Sequence, residues 1–196
     1  MYGFCPLASG SKGNAIFFAS RSTRILIDAG LRAKSLFERL SAIDVDPYSL
    51  QAILITHEHT DHIAGLAVLA EKLNIPVFAN AETAKGIVEI LGMRPRFKIF
   101  STGEPFYFGD LEIHPFSIPH DTLDPGRCDT HALRCRNGCG AAYRTFDQST
   151  SHARGDARAI DRELGDMRRL GDGFHHRRFA AAFGLHRAIA GHVVVQ

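Results

Sequence analysis

Residues 52–62 read Ala-Ile-Leu-Ile-Thr-His-Glu-His-Thr-Asp-His, and both fold and chemistry turn on this stretch. Ala52 to Thr56 is a short continuous apolar run closed by a threonine, the pattern of a strand covered on both faces. It leads directly into His57-Glu58-His59-Thr60-Asp61-His62, after which the apolar spacing from Ile63 to Leu73 predicts a helix. Three imidazoles and the carboxylate of Asp61, with Glu58 between the first two histidines, thus gather within six residues at a strand end. On the chain leaving the strand, His57 and His59 share a face and reach one metal ion. Asp61 and His62 enter the helical turn and face a second. Nitrogen and oxygen donors without thiolate suit Zn²⁺, Mn²⁺ or Fe²⁺, with Zn²⁺ the default and Mn²⁺ the alternative. The bland alternative is a polar loop whose histidines only hydrogen-bond; the density of donors and the flanking apolar runs weigh against it.

Outward from the motif, residues 1–125 alternate strands and helices. Tyr2 to Ala8, Ala15 to Ala19 and Arg24 to Asp28 read as strands, the first two separated by the turn Ser9-Gly10-Ser11-Lys12-Gly13-Asn14. Leu36, Phe37, Leu40 and Ile43 recur at helical spacing within 33–43. Ile75 to Ala79 and Phe97 to Phe100 read as strands, Glu82 to Leu91 as a helix, and Phe106 to Ser117 as a hairpin turning at Gly109-Asp110. This β/α alternation with short connections marks the α/β class. In the Ser9 to Asn14 turn the backbone amides can approach an anion closely, and Ser11, Lys12 and Asn14 are the candidate phosphate-binding residues. A tight turn between strands needs the same residue types for conformational reasons, so both readings stand.

From Gly126 the texture changes. Residues 1–125 hold 11 Lys+Arg against 14 Asp+Glu, a balance of −3, whereas 126–196 hold 12 Arg against 7 Asp+Glu, a balance of +5, with no further Lys. The sum of +2 hides this asymmetry. Residues 126–196 are therefore an atypical Arg/Gly/Ala/His-rich tail, either a basic arm that touches nucleic acid or another acidic partner, or the product of a slipped reading frame. Cys5 stands alone, and Cys128, Cys135 and Cys139 with His131 lack the paired close spacing of a zinc ribbon, so chance composition explains them better. His175-His176-Arg177-Arg178 reads as solvated surface rather than a phosphate patch. With neither a signal-peptide pattern nor an apolar run of spanning length, the expectation is a cytoplasmic protein with no membrane partner.

The run His57-x-His59-x-Asp61-His62 resembles the HxHxDH signature of the metallo-β-lactamase superfamily. Ser9-Gly-Ser-Lys-Gly-Asn14, Leu26-Ile-Asp-Ala-Gly30 and Ile118-Pro-His-Asp121 together resemble its YycJ/WalJ branch, over about residues 1–125. The resemblance implies an αββα four-layer sandwich, two divalent ions, and a metal-dependent nuclease of 5′ to 3′ exonuclease type acting on nucleic acid. It further implies that His57, His59 and His120 hold the first ion, that Asp61 and His62 hold the second, and that Asp28 is a supporting residue. A ligating imidazole usually has its other nitrogen tied to a carboxylate, which suits Asp28; a plain strand-end turn former is the alternative. Asp61 is the candidate catalytic residue, accepting the proton as the nucleophilic water forms. His114 matches no position of the family and reads as a surface or half-buried histidine.

The family pattern also requires a bridging aspartate at a later strand end and a final histidine. No matching strand end follows Pro125; Asp147 and His192 fall at tolerable distances in unsuitable company. Besides a nucleic-acid phosphodiesterase, two readings therefore stand: a small-molecule hydrolase of the same fold, cleaving a thioester, lactone or cyclic phosphate, and an inactive fragment lacking the bridging aspartate.

Overall fold

The computed structural model describes residues 3–118, 128–135 and 140–143, with side chains over 3–115. The chain enters through two strands, β1 (Gly3–Ala8) and β2 (Ala15–Ala19), paired antiparallel around the Ser9 to Asn14 turn. β3 (Arg24–Ile27) pairs antiparallel with β2. The connections then switch to helical crossovers, through α1 (Ala33–Ser41) to β4 (Ala52–Leu54), through α2 (Thr60–Ile63) and α3 (Leu66–Leu73) to β5 (Val77–Ala79), and through α4 (Ala81–Leu91) to β6 (Phe97–Ile99). β3, β4, β5 and β6 are parallel neighbours, and the six strands lie in chain order in one sheet. A second, antiparallel sheet runs β7 (Phe106–Phe108), β8 (Leu111–Ile118), β9 (Cys128–Cys135), β10 (Gly140–Tyr143).

Side-chain alternation explains the layering. In β2, Ala15, Phe17 and Ala19 face one core while Ile16 and Phe18 face another, and β3 and β4 divide their residues in the same way. The first core joins the sheet to the helices through Leu36 and Leu40 of α1, Leu66 and Leu69 of α3 and Ile87 of α4. The second joins the two sheets through Phe100, Leu111 and Ile113, with Phe78, Phe106 and Phe108 packed against it. A helix layer, a mixed sheet and an antiparallel sheet are thus stacked over two apolar seams, as a sheet buried on both faces requires.

The expected elements occur, with shifted ends. Pro76 offers no amide for a ladder, and the strand expected from Ile75 begins at Val77. Asn80 caps α4 by accepting from the Thr83 amide at 2.7 Å, and Gly92 closes it in the left-handed region at φ 63°. The single helix expected over 63–73 is two helices. α2 already takes in Thr60, Asp61 and His62, and the break falls at Ala64-Gly65 because the Gly65 amide bonds the Ala29 carbonyl at 2.8 Å. A side chain at 65 would begin 2.2 Å from the Leu31 carbonyl. Beyond Gly126, β9 pairs with β8 over eight positions and β10 continues the sheet. Cys128 and Cys135 stand at opposite ends of β9, about 23 Å apart at the usual rise of a strand, too far to share one ion. Among the described residues no helix is long and apolar enough to cross a membrane.

Candidate metal centre

The motif residues lie just beyond the carboxyl ends of β3 and β4, where open α/β sheets gather ligands. β3 ends at Ile27, and Asp28 then takes a left-handed conformation at φ 58° that turns its side chain off the strand line. Aspartate tolerates that region better than most residues. Its carboxylate, fully buried, accepts from the Thr56 amide at 2.9 Å and from the Thr56 hydroxyl at 3.0 Å, and its Oδ2 stands 2.9 Å from His62 Nδ1.

These bonds fix protons. A carboxylate only accepts, so His62 Nδ1 carries the hydrogen and Nε2 the lone pair. The one hydroxyl hydrogen of Thr56 likewise goes to Asp28, so the Thr56 oxygen accepts from His57 Nδ1 at 3.0 Å. Both imidazoles are thereby set as the tautomer whose Nε2 can bind a metal. The His57 ring lies 4.6 Å from that of His59 and 4.0 Å from that of His62, centroid to centroid. His57 and Glu58 are buried, whereas His59 and Asp61 are partly open to solvent.

Backbone bonds hold α2 against the two preceding loops. The Asn14 amide donates to the Asp61 carbonyl at 2.7 Å, the Ala29 amide to the His62 carbonyl at 2.7 Å, and the Gly30 amide to the Asn14 carbonyl at 2.8 Å. The fit is so close at Gly30 that a Cβ there would lie 1.5 Å from the Asp61 carbonyl oxygen.

The structure therefore brings His57, His59, Asp61, His62 and Asp28 together. Asp61 Oδ2 and His62 Nε2 are 3.5 Å apart, close to the separation of two donors sharing one tetrahedral ion at bonds of about 2.0–2.2 Å. Nitrogen and carboxylate donors of this kind, with one imidazole nitrogen anchored, fit a divalent cation. Among the described residues no three such side chains converge on a single point. His120, Asp147, His192 and the 175–178 run lie outside the described residues, and of His131, Cys128 and Cys135 only the backbone is described.

One placement differs from expectation. Asn14, expected to face a phosphate, is turned inward and only 3% exposed, its amide spent on Gly10, Asp61 and His62. Ser11 and Lys12 of the same turn are exposed. His114 is partly exposed, as its sequence context suggests; it lies 3.3 Å from Glu112 and takes no part in the cluster. Sequence reading missed Thr56 and the packing role of Gly30; a lone polar residue ending a buried apolar run was the available signal for the first.

Residues 8–151 match the family described as the metallo-beta-lactamase superfamily. The exodeoxyribonuclease YycJ of Bacillus anthracis is 39% identical over 124 residues, which cover 62% of this chain and 47% of that protein. The exodeoxyribonuclease WalJ of Streptococcus pneumoniae serotype 2 is 40% identical over 123 residues, covering 61% and 46%. A hydroxyacylglutathione hydrolase of Klebsiella pneumoniae is 34% identical over 118 residues, covering 53% and 44%. The chain spans less than half the length of these relatives. Among solved structures, a Cronobacter sakazakii metallo-β-lactamase with a HARLDQ motif superposes with a TM-score of 0.58 at 17% identity, over 72% of this chain and 59% of that one. The Bacillus subtilis metallo-β-lactamase-fold protein YhfI gives 0.58 at 17%, over 71% and 60%. At such identities the superpositions speak for the fold, and the family match rests on sequence. The chain belongs to the metallo-β-lactamase superfamily of hydrolases.

Proposed function

We propose that this chain carries the metal-binding part of a phosphodiesterase that degrades nucleic acid from its ends, a 5′ to 3′ exonuclease using two divalent ions, Zn²⁺ or Mn²⁺. The observation that carries this reading is the clustering of Asp28, Thr56, His57, His59, Asp61 and His62, in a chain 39–40% identical to proteins named exodeoxyribonucleases. His57, His59 and His120 would hold one ion, and Asp61 and His62 the other. When bound, such ions supply a water acidic enough to ionise near pH ~7 and neutralise charge on the cleaved phosphate. Asp28 and Thr56 hold His62 and His57 as the tautomers whose Nε2 carries the lone pair, and Asp61 takes the proton released from the water. Ser11 and Lys12, exposed beside Asn14, would meet the phosphates of the strand.

A second reading, a small-molecule hydrolase acting on a thioester, is favoured by the hydroxyacylglutathione hydrolase match. A third is an inactive fragment, since no matching bridging aspartate follows Pro125 in the sequence. Elemental analysis together with substrate panels separates the three. The expected result is close to two ions per chain, degradation of DNA that has a free 5′ end but not of DNA blocked there, and loss of both metal and activity in His59→Ala. Thioester cleavage with intact DNA would favour the second reading. One ion or none, with neither activity, would leave the fragment.

A further inference from the structure

We propose that Asn14 is the positioning residue for the second ion, its side-chain amide holding Asp61 and His62 at the spacing the ion needs. The inference rests on the two-ion reading above and extends it to a residue outside the His/Asp motif. The orientation of the amide is determined by its neighbours. The Gly10 amide is a donor and lies 3.0 Å from Oδ1, so Oδ1 must be the oxygen and Nδ2 must face the cluster. There Nδ2 donates to Asp61 Oδ2 at 2.9 Å and stands 3.0 Å from His62 Nε2. Since Asp28 has already claimed the hydrogen on His62 Nδ1, Nε2 accepts, and Asn14 is its donor.

One amide thus places partial positive charge on the two lone pairs that a cation would take, with those two atoms 3.5 Å apart. Nδ2 has two hydrogens and a third acceptor, the Gly10 carbonyl at 3.2 Å, so one donation is shared and can be yielded when an ion takes the Nε2 lone pair. Asn14 itself is anchored independently, its backbone amide on the Asp61 carbonyl and its carbonyl on the Gly30 amide. It therefore stays in place whether or not its side chain gives up a bond.

The test is calorimetric titration of the full chain with Zn²⁺, reading the affinity of whichever ion Asp61→Ala abolishes. In Asn14→Ala that affinity falls about 10–100-fold, the usual loss when a partner that orients a ligand is removed, while the other ion binds unchanged. Asn14→Asp keeps an acceptor for the Gly10 amide but sets a carboxylate against Asp61. Without metal its melting temperature falls, and Zn²⁺ restores it. A residue that merely closed the turn would leave the aspartate variant melting and titrating like the unaltered chain, and that result would overturn the proposal. If no bound ion depends on Asp61, the two-ion reading itself fails and this inference falls with it, an outcome distinguishable from the former because the unaltered chain already shows it.

Discussion

Asp28 is the residue on which the cluster's proton arrangement depends. Asn at this position would keep the left-handed backbone, which Asn tolerates as well as Asp, so Asp28→Asn separates conformation from charge. The expected outcome is a loss of Zn²⁺ affinity of about 10–100-fold with the fold intact, read by calorimetry and circular dichroism. Affinity equal to that of the unaltered chain would reduce Asp28 to a turn former. Thr56→Val preserves shape but removes the hydroxyl shared by Asp28 and His57, leaving buried polar atoms short of a partner. Urea denaturation should show a loss of about 1–3 kcal/mol. At this scale the sequence was legible where chemistry is concentrated in a few neighbouring positions, His57 to His62. Asn14 was not, because its partners lie 47 and 48 residues away and only the folded chain shows that its amide points inward.

The elements that position the site were legible wherever periodicity is local, as in β2, β3, α1 and α4. They were illegible where a tertiary contact decides. Nothing in the run from Ile63 to Leu73 announces a break at Gly65, since its cause is the carbonyl of Ala29 across the loop. The same close packing makes α2 sensitive to Gly30→Ala, in which the added methyl meets the Asp61 carbonyl. A destabilisation of about 3 kcal/mol or more is expected, at the upper end for overpacking, together with weakened metal binding. Gly3→Ala, with nothing near its Cβ, serves as the control and should change stability by less than about 0.5 kcal/mol.

The hairpin between β7 and β8 adds a link between the sheets. Burial raises the Asp110 carboxyl, but hydrogen bonds from the hydroxyls of Ser20, Thr23 and Ser22 and from its own amide outweigh this and lower it to about 2. Ser20 and Thr23 reach it at 2.5 and 2.6 Å. A folded-state value below the unfolded value of about 3.9 means that the link stabilises above that pH and is lost as pH falls towards about 2. The gap in urea midpoint between the unaltered chain and Asp110→Asn should therefore be widest near neutrality and close between about pH 4 and pH 2. A gap constant over that range would mean that the carboxylate charge adds nothing.

On the scale of the whole molecule, the helix layer and both sheets are stacked, yet the sequence behind them changes character at Gly126. The balance moves from −3 over 1–125 to +5 over 126–196, Lys disappears, and the close curated matches extend over 61–62% of the chain and under half of each relative. Selection for a second sheet facing a buried core maintains alternating apolar residues, and translation in a shifted frame destroys that pattern while leaving a composition bias. The DNA beyond the codon for Pro125, read in its other two frames, should encode an Asp-Leu-Gly strand end and a later His-Leu-Ser. Those would supply the bridging aspartate and final histidine that Asp147 and His192 do not resemble in context. A chain rejoined in that frame should extend its match to the YycJ and WalJ proteins past half their length and bind its second ion more tightly than the chain described here. If neither frame yields those residues, the Arg-rich tail is the protein's own, and it should then raise affinity for single-stranded DNA in a salt-dependent way, since counterion release by basic residues weakens as salt rises.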